Sequence, residues 1–270
     1  MTTSKVLILD FGSQYTQLIA RRVRELKVFC EILACNTPIE KIISFKPQAV
    51  ILSGGPSSVY DKDAPPCDVK VLQMHLPMLG ICYGMQWMSH QLGGKVTPGT
   101  VREYGPAQVG VVNTQSLFDG FPLKDISVWM SHGDHVDHLP QGFSSLAKSH
   151  NGLQAAIGND ETRMYGLQFH PEVAHTPQGT DILKNFLFHV AHLKPDWSME
   201  SFVADKIKEI KETVGQDRVL CAVSGGVDSS VMAALIHQAV GSQLDAFFID
   251  NGLLRKNEGP RVVELFRKKS

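Results

Sequence analysis

No apolar run in this chain approaches the roughly 20 residues that a membrane-spanning helix needs, which argues against a helical membrane protein. Charge of one sign is also missing: 26 Lys and Arg face 27 Asp and Glu, a formal net charge of −1. That balance excludes the basic footprint of a general nucleic-acid binder or of a polybasic membrane-surface protein. Cysteine is scarce and unpaired in spacing. The five residues at 30, 35, 67, 82 and 221 form neither a paired metal spacing nor a disulfide framework. A reducing cytosol is the expected compartment, and Met1-Thr2-Thr3-Ser4-Lys5 runs straight into a strand-like segment without a secretory h-region. Repeats and low-complexity segments are absent too. What is present is an ordinary globular composition, 43% hydrophobic and 20% charged over 270 residues. That suffices for a sizeable core in one large or two smaller domains, and it excludes disordered, collagen-like and secreted mini-protein classes.

Strand and helix signals alternate from the start. Val6-Leu7-Ile8-Leu9 reads as a buried strand ending at Asp10-Phe11-Gly12. Tyr15, Leu18, Ile19, Val23 and Leu26 then recur at helical spacing. Further strands are expected at Phe29–Leu33, Ala49–Leu52 and Pro77–Ile81, which predicts a parallel, doubly wound sheet. From 99 to 170 short runs at 110–112, 128–130 and 166–169 suggest added strands at a mixed edge. A helix is predicted from about Thr180 to Leu193, stopping before Lys194-Pro195. Pro195-Asp196-Trp197 is the expected linker, placing domains at 1–196 and 197–270. The second domain restarts the pattern: a helix over Phe202–Val214, a strand over Val219–Val223, a helix from about Asp228 to Val240, a strand over Ala246–Ile249 and a helix from Glu258 to Ser270. With only two strands it reads as the opening of a nucleotide-binding α/β domain, truncated.

Three segments carry chemistry. Gly80-Ile81-Cys82-Tyr83-Gly84 places a cysteine between two glycines where a strand meets a helix, the cysteine form of a nucleophile elbow. Such a turn strains the nucleophile's backbone, and glycines at both flanks avoid Cβ clashes. The helix N-terminus favours thiolate, and the next amide N–H can point at an oxyanion. Phe169-His170-Pro171-Glu172 offers an imidazole for the thiol proton and a carboxylate to fix its tautomer. Ser53-Gly54-Gly55-Pro56 ends a neighbouring strand with unhindered backbone N–H groups. Each segment alone also has a bland reading: a small buried cysteine in a turn, a surface histidine, a plain β–α connection.

Together, Gly80-Ile81-Cys82-Tyr83-Gly84-Met85-Gln86, His170-Pro171-Glu172 and Gly54-Gly55-Pro56 resemble the class I glutamine amidotransferases over about residues 5–195. The resemblance implies a central mixed, mostly parallel sheet flanked by helices. It implies Cys82 as nucleophile toward the glutamine side-chain amide, His170 as proton shuttle and Glu172 as its orienting carboxylate. Gly55 and Tyr83 would form the oxyanion site, and Gly54 and Gln86 would help to hold glutamine.

Ser131-His132-Gly133-Asp134-His135-Val136-Asp137-His138 packs three His and two Asp into eight residues and looks like metal chemistry. Gly133 stands where a metallohydrolase needs its second histidine, so a zinc or iron site on a loop through His132, His135 and His138 is the weaker reading. The amidotransferase resemblance assigns the segment to the glutamine pocket, with Asp134 toward the substrate amino group.

Ser224-Gly225-Gly226-Val227-Asp228-Ser229-Ser230 follows a strand and opens a helix, a setting for a phosphate-binding nest. It has no Walker lysine, which disfavours γ-phosphoryl transfer. It resembles the N-type ATP pyrophosphatases, and Asp228 or Asp250 could bear on Mg²⁺. An amidotransferase followed by this loop, with Ile249-Asp250-Asn251-Gly252-Leu253-Leu254-Arg255, resembles the GMP synthetase family. That implies glutamine, ATP with Mg²⁺, and xanthosine monophosphate as substrates, no tightly bound cofactor, and a homodimeric full-length enzyme of which this chain alone is not expected to complete GMP synthesis. Three alternatives remain open: another amidotransferase–synthetase, a free-standing glutaminase, or a non-catalytic partner-binding remnant.

Overall fold

The computed structural model describes residues 4–249 and 257–267. It divides into two compact units, Met1–Trp197 and Ser198–Ser270.

The first unit is built on nine strands: β1 (Lys5–Asp10), β2 (Phe29–Ala34), β3 (Ala49–Leu52), β4 (Met78–Ile81), β5 (Lys95–Val111), β6 (Asp125–His138), β7 (Ser144–Ser149), β8 (Gln154–Asn159) and β9 (Met164–Leu167). They form one sheet in the order β2-β1-β3-β4-β9-β8-β7-β5-β6. From β2 to β9 the neighbours are parallel, and from β9 to β6 they are antiparallel. This is the mixed sheet with flanking helices that the sequence predicts.

The central strands are apolar without alternation because both faces are covered. Val6, Ile8, Ile51, Leu79 and Ile81 face a core shared with Ile19 and Val23 of α1 (Thr16–Glu25) and with Ile182 and Leu183 of α4 (Gly179–Asn185). Leu7, Leu9, Val50, Leu52 and Met78 face the opposite core, with Ile42 of α2 (Ile39–Phe45) and Trp87 and Met88 of α3 (Tyr83–Gln91).

Several expectations need correcting. The helix predicted over 180–193 is α-helical only to Asn185 and then widens into a π turn over Phe186–Val190, which brings Phe186, Leu187 and Val190 all into the core. The histidine-rich segment is no loop but the last part of β6, paired with β5 through Glu103↔His132 and Thr97↔His135. The segments β7 and β8 lack strong alternation and are strands because sheet neighbours claim their backbones. The expected linker is tied down: the Ser4 N–H donates to Asp196 Oδ1 at 3.0 Å, and the Trp197 N–H to the Lys27 carbonyl at 2.9 Å.

The second unit holds α5 (Met199–Val214), β10 (Val219–Val223), α6 (Val227–Val240), β11 (Leu244–Phe248) and α7 (Glu258–Arg267). A Ser198/Ser201 capping box starts α5. The parallel pair β10–β11 packs a small core of Cys221, Val223, Ala233 and Val262. Asp250 and the stretch to Arg255 lie outside the described residues. No described helix is long and apolar enough to cross a membrane.

Candidate active site

Parallel α/β sheets gather ligands at the carboxyl ends of their strands. There the ends of β1, β3, β4 and β6 line a cavity of about 500 Å³ with Gly12–Tyr15, Gly55–Ser58, Cys82, Gln86, Ser131–Asp134 and His170. Of the residues singled out from sequence, Gly55, Cys82, Gln86, Asp134 and His170 line this one cavity.

Cys82 stands between β4 and α3 with φ +51° and ψ −108°, a conformation few L side chains adopt. The surroundings enforce it. The Cys82 N–H donates to the Leu167 carbonyl at 2.7 Å, and the Gly84 N–H to the Ser53 carbonyl at 3.0 Å. A Cβ at Gly80 would lie 2.6 Å from the Met85 nitrogen, and one at Gly84 2.4 Å from the Leu52 carbonyl oxygen. Only glycine permits both approaches. Tyr83 opens α3, so its N–H has no intrahelical partner.

His170 follows β9 and is almost fully buried. Its backbone N–H donates to the Trp129 carbonyl at 3.0 Å, and its own carbonyl accepts from Thr176 Oγ1 at 2.7 Å. Nδ1 lies 2.8 Å from Glu172 Oε1. Burial disfavours the imidazolium, but hydrogen bonds to Cys82 and Glu172, with their charges, outweigh it and push His170 up to about 10. Glu172 is fully buried, and its carbonyl accepts from Arg22 Nε at 3.1 Å. A Cβ at Gly54 would lie 3.2 Å from His170 Cε1 and 3.6 Å from Cys82 Cβ. Gly54 therefore keeps open the space where imidazole and thiol meet. At Gly55 a Cβ would strike the Phe11 carbonyl oxygen at 2.8 Å.

Gln86 is buried in the wall of the cavity. Its Nε2 donates to the Asp134 carbonyl at 2.8 Å and to Gln168 Oε1 at 3.2 Å. Asp134 turns its carboxylate to Ser58, whose Oγ donates to Oδ2 at 2.6 Å. Asp10 shapes the facing loop by accepting from the Gly12 N–H at 2.9 Å and from Thr16 Oγ1 at 2.7 Å. Gln168, Ser58 and the Gly12–Tyr15 loop were not signalled by the sequence patterns.

The three histidines of β6 go separate ways. His132 is buried between the Asp134 carbonyl, 2.9 Å from Nδ1, and Glu103 Oε2, 3.1 Å from Nε2. Burial lowers its proton affinity, against those two hydrogen bonds. His135 Nε2 meets Thr97 Oγ1 at 3.3 Å, and the exposed His138 pairs with Asp137. Among the described residues no three His, Cys, Asp or Glu side chains gather to hold a metal ion.

In the second unit, Ser224–Gly226 links β10 to α6 with Gly225 at φ +80°. Hydroxyls brace the turn: Ser224 Oγ lies 3.1 Å from Ser229 Oγ, and the Gly226 N–H donates to Ser224 Oγ at 3.4 Å. The first N–H groups of α6 are left without intrahelical partners, and Asp228 lies in that turn.

A thiol at a strained strand–helix turn, a buried imidazole and a carboxylate behind it are the parts that acyl transfer by a cysteine nucleophile needs. The chain belongs to the class-I glutamine amidotransferase family, whose model matches residues 7–190, and a tRNA methyl transferase HUP domain model matches residues 217–259. More particularly, it is 54% identical over 265 residues to the GMP synthase [glutamine-hydrolyzing] of Carboxydothermus hydrogenoformans, covering 98% of this chain and 52% of that protein. The enzyme of the same name from Syntrophomonas wolfei is 52% identical over 268 residues, covering 99% and 52%. The chain therefore spans about half the length of the curated relatives it matches. A crystal structure from Thermoplasma acidophilum, described as that of a candidate GMP synthase subunit, superposes with a TM-score of 0.63 at 28% identity over 71% of this chain and 96% of that one. A Thermotoga maritima glutamine amidotransferase, at 21% identity and a TM-score of 0.52 over 90% and 99%, shares the fold.

Proposed function

We propose that residues 1–196 hydrolyse the side-chain amide of glutamine through a Cys82 thioester. The observation that carries this reading is the strained, glycine-flanked Cys82 in one cavity with a buried His170 whose Nδ1 is held by Glu172. His170 takes the thiol proton, and the thiolate adds to the amide carbon. The developing oxyanion faces the N–H groups of Gly55 and Tyr83. His170 returns the proton to the leaving nitrogen, the C–N bond breaks and ammonia departs. Water then attacks the thioester, giving glutamate and the free thiol. Gly54, Gln86 and Asp134 shape the glutamine pocket.

The relatives' names extend the proposal. Residues 197–270 contribute to an ATP pyrophosphatase domain, in which Ser224, Gly225, Gly226, Val227, Asp228, Ser229 and Ser230 receive phosphate groups of ATP with its Mg²⁺. The ammonia is then destined for the ATP-dependent amination of xanthosine monophosphate to GMP. In support, this loop offers a positive-φ glycine, two hydroxyls and free helix N–H groups. Glutamate release from glutamine by the wild-type chain and by Cys82→Ala tests the first step. Release abolished by the substitution is expected, and release that survives it sinks the thioester reading.

A further inference from the structure

The proposed triad accounts for Cys82, His170 and Glu172 but leaves one buried amide beside the sulfur unexplained. Gln168 lies between the apolar Leu167 and Phe169 at the end of β9 and is only 1% exposed. An amide in such a place is unfavourable unless both its ends are satisfied. Both are. Gln86 Nε2 donates to Gln168 Oε1 at 3.2 Å, and Gln168 Nε2 lies 3.7 Å from Cys82 Sγ, within hydrogen-bond reach of sulfur. The orientation follows from the donors. Gln86 Nε2 also donates to the Asp134 carbonyl, so this nitrogen can only give. The Gln168 atom facing it must therefore be the oxygen, and the atom facing sulfur must be the N–H donor.

We infer that Gln168 is a catalytic residue that stabilises the Cys82 thiolate by hydrogen bonding from Nε2. This rests on the proposed thioester reading and adds a partner to it. A neutral thiol finds an acceptor elsewhere, since Cys82 Sγ can donate to the Ser131 carbonyl at 3.6 Å. A thiolate cannot donate there. It can accept from the His170 imidazolium and from Gln168, so the Gln168 contact strengthens when the proton leaves. The chain Asp134–Gln86–Gln168–Cys82 thereby ties the wall of the cavity to the state of the sulfur, and Gln86 acts by positioning Gln168 as well as by lining the pocket.

The test is the pH dependence of Cys82 alkylation by iodoacetamide, followed at that residue by peptide mass mapping in the 270-residue chain. Wild type is compared with Gln168→Met, which keeps bulk and removes the donor, and with Gln168→Glu, which keeps shape and places an acceptor there. Far-UV circular dichroism and thermal melting identify a variant that fails to fold, and two variants guard against losing one. Both are expected to move the alkylation profile to higher pH by about one unit or more. Glutamate release should fall in parallel in kcat and little in KM for glutamine. A purely structural role would lower thermal stability without moving the profile. A folded variant whose profile and kcat stay within twofold of wild type overturns the inference. The parent reading fails differently. A wild-type Cys82 alkylated no faster than the other cysteines would overturn the thioester proposal and this inference together.

Discussion

Gly84→Ala is the sharpest probe of how the elbow is held. A Cβ there would lie 2.4 Å from the Leu52 carbonyl oxygen and 2.7 Å from Leu52 Cβ, about 1 Å inside ordinary contact. Leu52 cannot retreat, because β3 is paired on one side with β1 and on the other with β4. The start of α3 must move instead, carrying Cys82 by up to about 1 Å. Overpacking of this kind costs on the order of 1–3 kcal/mol, and a 1 Å misplacement of a reacting group costs roughly 10²-fold in rate. Gly110→Ala is the control. Its Cβ would lie 3.3 Å from the end of the Asp125 side chain and 3.9 Å, an ordinary contact, from the Lys148 carbonyl oxygen, so a change of about 0.5 kcal/mol or less is expected. Urea unfolding can be followed by tryptophan fluorescence, because Trp87, Trp129 and Trp197 all lie in the first unit. Cys82 alkylation reports the geometry. If Gly84→Ala matches Gly110→Ala in stability and is alkylated within twofold of wild type, the steric account of the elbow is wrong.

The buried pair should show itself in pH dependence. His170 is raised from an ordinary 6.5 to about 10, so the stability carried by its protonated form is complete below about pH 6.5 and is lost as pH rises toward 10. In Glu172→Gln that decline should flatten, and equal slopes for both proteins in urea midpoints across this range would refute it. At the second buried pair, Glu103 Oε2 lies 3.1 Å from His132 Nε2, and Oε1 accepts from Asn151 Nδ2 at 2.8 Å. Glu103→Ala should cost about 1–3 kcal/mol by leaving partners unpaired, whereas in Glu103→Gln the amide can serve both. Comparable losses in the two variants would show that packing, not hydrogen bonding, sets the effect.

The strands that could be read from sequence were those whose residues alone decide them. Ala49–Leu52 and Val219–Val223 are continuous apolar runs between turn residues, and both form as expected. The elbow was legible because glycine spacing leaves few alternatives. Ser144–Ser149 and Gln154–Asn159 were not, since ladder partners rather than side chains make them strands. The histidine segment misled because spacing along a chain says nothing of facing. In a strand, His132 and His135 leave by opposite faces. Gln168 had no local signal either. Its position beside Cys82 exists only once β9 has paired with β4, across more than 80 residues of chain.

That pairing has a consequence for the protein's birth. Cys82 leaves the ribosome 88 residues before His170, and at about 5–20 residues per second the interval is roughly 4–18 seconds. During it β4 is an unprotected sheet edge, because its outer neighbour, β9, has yet to be made. The hairpins of β5 to β8 must form, or wait, before β9 can slot in. The thiol thus spends its first seconds without the histidine, the carboxylate or the amide that lie around it in the folded chain. In a nascent chain of this design the proposed nucleophile stays dormant until a single four-residue strand arrives.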